Sequence, residues 1–281
     1  MKKPNSRVHL DAAIQRIAGA KTHNLRYVGL RTVIADVVIG QMLPDCVIKG
    51  GCSLKLRYGE RQSRFTMDFD TASTMDVDSF IKAVRERLAE GWSDFTGTLD
   101  IERPAAPKGV PAEYVMQPFL VHLNYHGKAW CNVRLELSHN EIGDAEEPES
   151  LPIAPDIMRI FEDLGFPPPK SIPLMPLKFQ IAQKLHGLSA PGSSRIRDLI
   201  DLQLIMRNSD VNLMQVRAVC ERLFAYRKCH AWPPEIAKGN GWDEQYSAQK
   251  YDLPVLPTVD EAIIWANDLI QRIANILATN P

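Results

Sequence analysis

The chain has 281 residues, of which 45% are hydrophobic and 24% are charged, and its formal net charge is −1. These values are typical of soluble folded proteins and exclude disordered and fibrous classes. Because the net charge is so small, any binding of a polynucleotide requires a local basic patch instead of a general positive field. The length allows one large domain or two smaller ones.

No stretch of the sequence approaches the roughly 18 apolar residues of a membrane helix, and the N-terminus has no continuous apolar segment. We therefore expect a cytoplasmic protein without a signal peptide or a membrane span. The five cysteines are never spaced as CxxC. This spacing favours inert thiols over a zinc site or a disulfide framework.

Helices and strands alternate in the first half of the chain. Apolar residues recur at helical spacing over 7–17 and 27–43, which predicts two N-terminal helices. A short strand in "CVIKGG" leads through a glycine turn into a helix that starts in "SLKLRYG". The segment "RFTMDFDTA" is predicted as a strand, and "DVDSFIKAVRERLAEGW" as a helix capped by Asp76 or Asp78. Three more strands are predicted, at 97–103, 118–126 and 129–139.

The second half of the chain is predicted to be helical. The acidic stretch "NEIGDAEEPESLP" has two prolines and no periodicity, which is typical of a solvated connection. We place a domain boundary there, between an α/β domain with its N-terminal helices (1–150) and a helical domain that completes the active site (151–281). Beyond Pro155 we expect no strands. Helices are predicted at 155–164, 174–188, 195–207, 212–227 and 258–278. The fold class is therefore α+β, with a mixed sheet followed by a helical bundle.

Two aspartates, one residue apart, lie in the predicted strand 64–72. Because strand residues two apart share a face, Asp68 and Asp70 are predicted to point the same way as Thr66. The opposite face is then apolar and buried. Such a carboxylate pair can hold Mg²⁺ ions that orient a triphosphate, or it can be an ordinary polar strand face. The motif alone does not decide between these two interpretations.

A glycine pair precedes this strand. Gly50 and Gly51 stand between a strand and a helix start, with Ser53 available as a hydroxyl donor. Such a turn presents backbone amides to an anion, although it is also a common plain connection. From Lys49 to Arg64 there are five basic residues and one acid, which suits a triphosphate beside the two aspartates.

Three further residues are candidates for the same chemistry. Glu136 lies on the polar face of "CNVRLELS", as a third metal-binding carboxylate or as an exposed partner of Arg134. Lys184 lies at the margin of an apolar helix stripe, and Asp198 lies in a helix that is apolar almost all round. A buried carboxylate needs a partner, so a Lys184–Asp198 bridge between two helices has a structural explanation as well as a functional one.

Four motifs in this order, "KGGCSLKLRYG", "RFTMDFD", "IAQKLHGL" and "RDLIDL", resemble the AbiEii/AbiGii family of nucleotidyltransferase toxins over residues 49–205. The resemblance implies a polymerase-β-like nucleotidyltransferase domain. It implies transfer of nucleotides from an NTP, in some members onto the 3′ end of tRNA, which stops translation. It also implies Mg²⁺ or Mn²⁺ as the metal, and a cognate antitoxin protein or kinase as partner.

Roles are carried over by position in these motifs. The resemblance implies that Asp68, Asp70, Lys184 and Asp198 are catalytic, that Gly51, Ser53 and Lys184 bind the nucleotide, and that Asp68 and Asp70 bind the metal. The glycine turn adds Gly50 to the candidates for nucleotide binding, and strand alternation adds Glu136 as the candidate third metal ligand. Thr66 stands at a position that is phosphorylated in some relatives, where a phosphate would repel the triphosphate. Cys52 and Gln183 depart from the family pattern.

Two alternatives to tRNA modification remain open from the sequence. The acceptor can be a small molecule or a protein side chain that uses the same donor site. From a different class, the chain can be a catalytically silent regulatory module that keeps the scaffold.

Overall fold

The computed structural model describes residues 2–19, 26–105, 115–250 and 252–276. The predicted connections "GAKTHN" and 104–118, and the end of the helix predicted at 258–278, lie partly outside the described residues. The chain divides into two compact units. The first unit comprises Met1–Glu60, Phe65–Asn140 and Ala145–Leu174, and the second comprises Arg61–Arg64, Glu141–Asp144 and Met175–Pro281.

The first unit is built on a mixed β-sheet. Its strands in the described residues are β1 (Val47–Lys49), β2 (Phe69–Ser73), β3 (Phe95–Ile101), β4 (Gln117–Tyr125), β5 (Lys128–His139), β6 (Glu149–Leu151) and β7 (Ile172–Leu174). They are arranged in the order β3-β4-β5-β2-β1-β7-β6. Strand β2 runs antiparallel to β1 and parallel to β5, which places β2 in the interior of the sheet.

Five helices of this unit lie in the described residues: α1 (Arg7–Gly19), α2 (Tyr27–Gln41), α3 (Gly50–Tyr58), α4 (Val77–Glu90) and α5 (Pro155–Asp163). Asp76 caps α4, since its side chain accepts a hydrogen bond from the Ser79 amide. The apolar sides of the helices and the sheet form one core, in which Phe69, Phe119 and Leu135 are fully buried. The core therefore extends up to the strand that carries Asp70.

The predicted boundary at residue 150 falls inside the first unit. Strand β7 pairs in parallel with β1 through Ile48 and Leu174, and β6 pairs antiparallel with β7. The expectation of no strands beyond Pro155 was wrong, because a three-residue strand with a central proline has no period that a sequence can display. The acidic connection is also not fully solvated, since Asp144 is buried.

The second unit is helical. Its helices in the described residues are α6 (Leu177–Ser189), α7 (Ile196–Asn208), α8 (Leu213–Arg227), α9 (Trp242–Gln249) and α10 (Val259–Ala274). Asn212 caps α8, and Thr258 and Glu261 form a capping box on α10. The short α9 was not predicted. No helix in the described part of the chain is long and apolar enough to cross a membrane. The predicted mixed sheet followed by a helical bundle is confirmed.

The segment 64–68 differs from its prediction as a strand. Strand β2 begins only at Phe69, so Asp70 is a strand residue and Asp68 precedes the strand. Phe65 and Met67, which were expected on the buried face, are exposed by 51% and 63%. Thr66 is 5% exposed, because its side of the segment faces the interior, where Lys55 Nζ donates to the Thr66 carbonyl over 3.4 Å.

Candidate active site

The sheet register places Asp70 in a row with two other charged side chains. Asp70 lies opposite Lys49 of β1 on one side and opposite Glu136 of β5 on the other. Residues directly opposite each other in a sheet point to the same face. The structure thus brings together Asp70 and Glu136, which are 66 positions apart in the sequence.

The charge of Asp68 acts on Glu136 as well. Burial raises the pKa of Glu136 most, and the Asp70 and Asp68 carboxylates raise it further, while Arg134 and Lys49 lower it. Arg134 Nε lies 3.2 Å from Glu136 Oε1. We call Asp68, Asp70 and Glu136 the carboxylate group. Its mutual repulsion is the kind that a bound divalent cation relieves.

Gly50 makes room for this group. It has a φ of +65° at the first position of α3, and a Cβ there would lie 2.3 Å from Asp70 Oδ2. A side chain at position 50 would therefore push the carboxylate away. The first-turn amides of α3 have no partners within the helix, and the helix dipole favours negative charge beside them. This end of α3 suits an anion next to Asp70.

The two residues that follow Gly51 point into the interior. Cys52 is fully buried and forms a side-chain hydrogen bond with Asp36 of α2. Ser53 is also fully buried. Gly51 is buried as well, so Gly50 is the least buried of these first residues of α3. The predicted contact of Ser53 with a triphosphate has no exposed hydroxyl in this structure.

Lys55 lies at the centre of a buried ion cluster that the sequence did not indicate. Lys55 Nζ is 3.5 Å from Glu60 Oε1 and 4.0 Å from Asp36 Oδ2. Burial raises the pKa of Asp36 to about 7, although Lys55 opposes the shift. Asp36 interrupts the otherwise apolar run "VIADVVIG" of α2, and this isolated acid was the available signal.

The basic residues from Lys49 to Arg64 therefore do not form the expected patch. Lys55 is fully buried, Arg57 pairs with Glu149 over 2.5 Å, and Arg64 is 9% exposed. Carboxylates of the same chain pair with all three of these charges, and the side chains of those that face Lys55 and Arg64 are buried. The prediction was wrong because a count of charges along the chain does not show which side chains turn inward.

In the second unit, Lys184 and Asp198 do meet. Lys184 Nζ donates to Asp198 Oδ1 over 2.9 Å and to Asp201 Oδ2 over 2.7 Å, and all three residues are buried. Burial lowers the pKa of Lys184, but the two carboxylates raise it more, so the net direction is upward. For Asp198, burial raises the pKa, and Lys184 and Arg195 reverse this to a net lowering. The bridge between α6 and α7 is thus fully charged.

Two arginines complete what we call the Lys184 network. Arg64 donates to both carboxylate oxygens of Asp201, over 2.9 and 3.1 Å, and Arg195 donates to Asp198. The network thus joins three cations to two buried carboxylates. The sequence did not single out Arg195, whose side chain is 62% exposed although its partner is buried. Its signal was its position: Arg195 immediately precedes α7 and stands three residues before Asp198.

Gln183 marks one departure from the family pattern. Its side-chain amide donates to Asp144 Oδ2 over 2.7 Å. A glutamate at this position would place a second negative charge against that buried carboxylate. Glutamine therefore fits this local charge balance.

Among the described residues, no group of three or more His, Cys, Asp and Glu side chains is arranged to hold a metal ion by itself. Mg²⁺ sites often use only one or two carboxylates together with substrate phosphates and water. The carboxylate group fits such an open site because its oxygen ligands are of the preferred type and repel one another.

Comparisons with known proteins identify the family of the chain. The chain matches the family described as "Nucleotidyl transferase AbiEii toxin, Type IV TA system" over residues 32–265. Among solved structures it is similar to MenT4, a nucleotidyltransferase toxin from Mycobacterium tuberculosis H37Rv, with a TM-score of 0.61, 16% identity and coverage of 95% of this chain and 90% of that one. JHP933 from Helicobacter pylori matches with a TM-score of 0.42, 13% identity and coverage of 88% and 90%. No curated protein matches the sequence.

The family match covers most of the chain, including the carboxylate group and the Lys184 network. The protein is therefore a nucleotidyltransferase. It belongs to the AbiEii toxin family of type IV toxin–antitoxin systems. Membership implies a nucleoside triphosphate as substrate and a cognate antitoxin as partner.

Proposed function

We propose that the protein transfers a nucleotide from an NTP to the 3′ end of tRNA and so blocks translation. The observation that carries the proposal is the carboxylate group beside the glycine-started helix α3. There carboxylates of the type that binds Mg²⁺ lie beside the first turn of α3, and helix amides of this kind suit a phosphate.

The proposed reaction is in-line attack of the acceptor 3′-hydroxyl on the α-phosphorus. A bond forms between the acceptor oxygen and the α-phosphorus, the bond to the β-phosphate oxygen breaks, and pyrophosphate leaves. The Asp68 or Asp70 carboxylate accepts the hydroxyl proton. When bound, Mg²⁺ supplies positive charge to the phosphates and to the attacking and leaving oxygens. Asp68, Asp70 and Glu136 are the residues that would hold it.

The chain's own contribution is positioning and electrostatics. Gly50 permits the carboxylate of Asp70 to approach the amide end of α3, where the triphosphate is proposed to bind. We also propose that Lys184 and Asp198 contribute to transfer. The support is the buried ion pair itself, in which Asp198 Oδ1 accepts a hydrogen bond from the Lys184 ammonium over 2.9 Å and orients it.

Thr66 is proposed as a regulatory position. A phosphate on its hydroxyl would add about two negative charges beside the carboxylate group and oppose binding of the triphosphate. Since Thr66 is 5% exposed, modification by a kinase requires segment 64–68 to open.

The experiment uses NTPs labelled at either the α- or the γ-phosphate. Purified protein, Mg²⁺ and total tRNA are incubated with each of the four NTPs in turn. The proposal expects label on tRNA only from α-labelled NTP, because pyrophosphate carries the γ-phosphate away. Label from γ-labelled NTP would show phosphoryl transfer instead, and label on protein or on no acceptor would overturn tRNA as the acceptor.

A further inference from the structure

Phe65 and Met67 form a small apolar surface at an unusual place. Both side chains are more than half exposed, and Met67 immediately precedes Asp68 in the chain. Single exposed apolar residues are common on protein surfaces. Here two of them lie on the outward side of one extended segment, next to the carboxylate group.

The segment is anchored from its inner side. Thr66, between the two exposed residues, is buried, and its carbonyl accepts a hydrogen bond from Lys55 Nζ. Lys55 is itself fully buried and held by Asp36 and Glu60. The outward direction of Phe65 and Met67 is therefore determined by a fixed interior group.

The ring of Phe65 is supported by the same cation. Lys55 Nζ lies 5.4 Å from the ring centroid, within the range of a cation–π contact. The contact restrains the ring while about half of the side chain, 51%, stays exposed. An aromatic surface that is already ordered loses little conformational entropy when a ligand binds to it.

We propose that Phe65, with Met67 beside it, is the surface on which a nucleobase of the substrate stacks. The inference rests on the proposed function, since it assigns the base that accompanies the phosphates at the carboxylate group. Aromatic rings stack on every base, and a methionine thioether adapts to different shapes. The surface therefore contributes affinity with little preference among bases. The base belongs either to the NTP or to the 3′-terminal nucleotide of the acceptor.

The test compares Phe65→Ala with Phe65→Tyr, which keeps the ring, and with Met67→Ala. Ile101→Ala is the matched control, because Ile101 is 54% exposed on β3 of the same unit. Binding of NTP and of inorganic tripolyphosphate, which has no base, is measured by calorimetry with Mg²⁺. The KM for total tRNA is measured in the transfer assay, and thermal unfolding confirms that each variant folds.

Loss of the ring is expected to weaken the binding of one of the two substrates by about 5–150-fold. This change corresponds to about 1–3 kcal/mol for one stacked base. A weaker NTP affinity assigns the stacked base to the donor, and a higher KM for tRNA assigns it to the acceptor. Phe65→Tyr and Ile101→Ala are expected to stay within twofold of the wild type, and tripolyphosphate binding is expected to be unchanged in Phe65→Ala.

Two results would overturn the inference while leaving the proposed function intact. One is Phe65→Ala with both constants within twofold of the wild type. The other is an equal loss of tripolyphosphate binding, which would show that the ring acts through the phosphate site. A wild-type protein that binds no NTP and transfers no label contradicts the proposed function itself, and the inference with it.

Discussion

Replacement of Gly50 by alanine tests the link between the glycine turn and the carboxylate group. The new Cβ would lie 2.3 Å from Asp70 Oδ2, which is well inside van der Waals contact. The nearest atom belongs to a side chain, so Asp70 can rotate away at little cost in stability. The carboxylate then leaves its place in the row with Lys49 and Glu136.

The stability cost comes from the backbone. Gly50 has a φ of +65°, where a residue with a Cβ loses about 1–2 kcal/mol. For a unit of this size the melting temperature falls by about 2–4 °C for each kcal/mol. The functional cost is larger, because a displacement of about 1 Å in a catalytic group reduces the rate by roughly 100-fold.

Gly127→Ala is the matched control. Gly127 belongs to the same unit and has a φ of +69°, but nothing lies within 4 Å of its added Cβ. Both variants should lose similar stability in thermal unfolding, and only Gly50→Ala should lose transfer of α-labelled nucleotide. Equal transfer rates in the two variants would refute the reasoning that position 50 controls Asp70.

Two other predictions concern the buried charges. Lys184→Met removes the ammonium that two buried carboxylates share, although each carboxylate keeps one arginine. We expect the free energy of unfolding, measured by chemical denaturation, to fall by about 3 kcal/mol. A loss below about 1 kcal/mol would argue against a charged network. Asp36 has a folded-state pKa of about 7, above its value of 3.8 in the unfolded chain, so the wild type should lose stability as pH rises from about 4 to about 7. This part of the pH dependence amounts to up to about 4 kcal/mol of the free energy of unfolding, and Asp36→Asn should remove it. The same change in stability between pH 5 and pH 8 in the wild type and in Asp36→Asn would contradict the prediction.

Long periodic segments were predictable from the sequence. Helices α1, α2, α4 and α7 have apolar residues at helical spacing, and local capping by Asp76 was visible as well. The fold class followed from the order of these segments. Strand β7 and helix α9 were missed, because three residues around Pro173 and the weakly patterned "WDEQYSAQ" carry almost no periodic signal.

The sequence indicated several candidate residues of the site, but it gave less information on their geometry. The positions of Asp70 and Glu136 follow from strand alternation, since both are strand residues. The alternation failed at Phe65 and Met67, where Lys55 bonds the intervening Thr66 carbonyl in place of a neighbouring strand. The partnership of Arg64 with Asp201 joins residues 137 positions apart, and no local pattern in the sequence encodes it.

The most direct test of the central claim is the rate of transfer from α-labelled NTP in a single turnover by Asp68→Asn. The substitution removes one charge of the carboxylate group and keeps the size of the side chain. Asp100→Asn is the control, because Asp100 is an exposed carboxylate on β3 of the same unit. Our account predicts that Asp68→Asn loses transfer while Asp100→Asn retains the wild-type rate. Equal rates in all three proteins would contradict it.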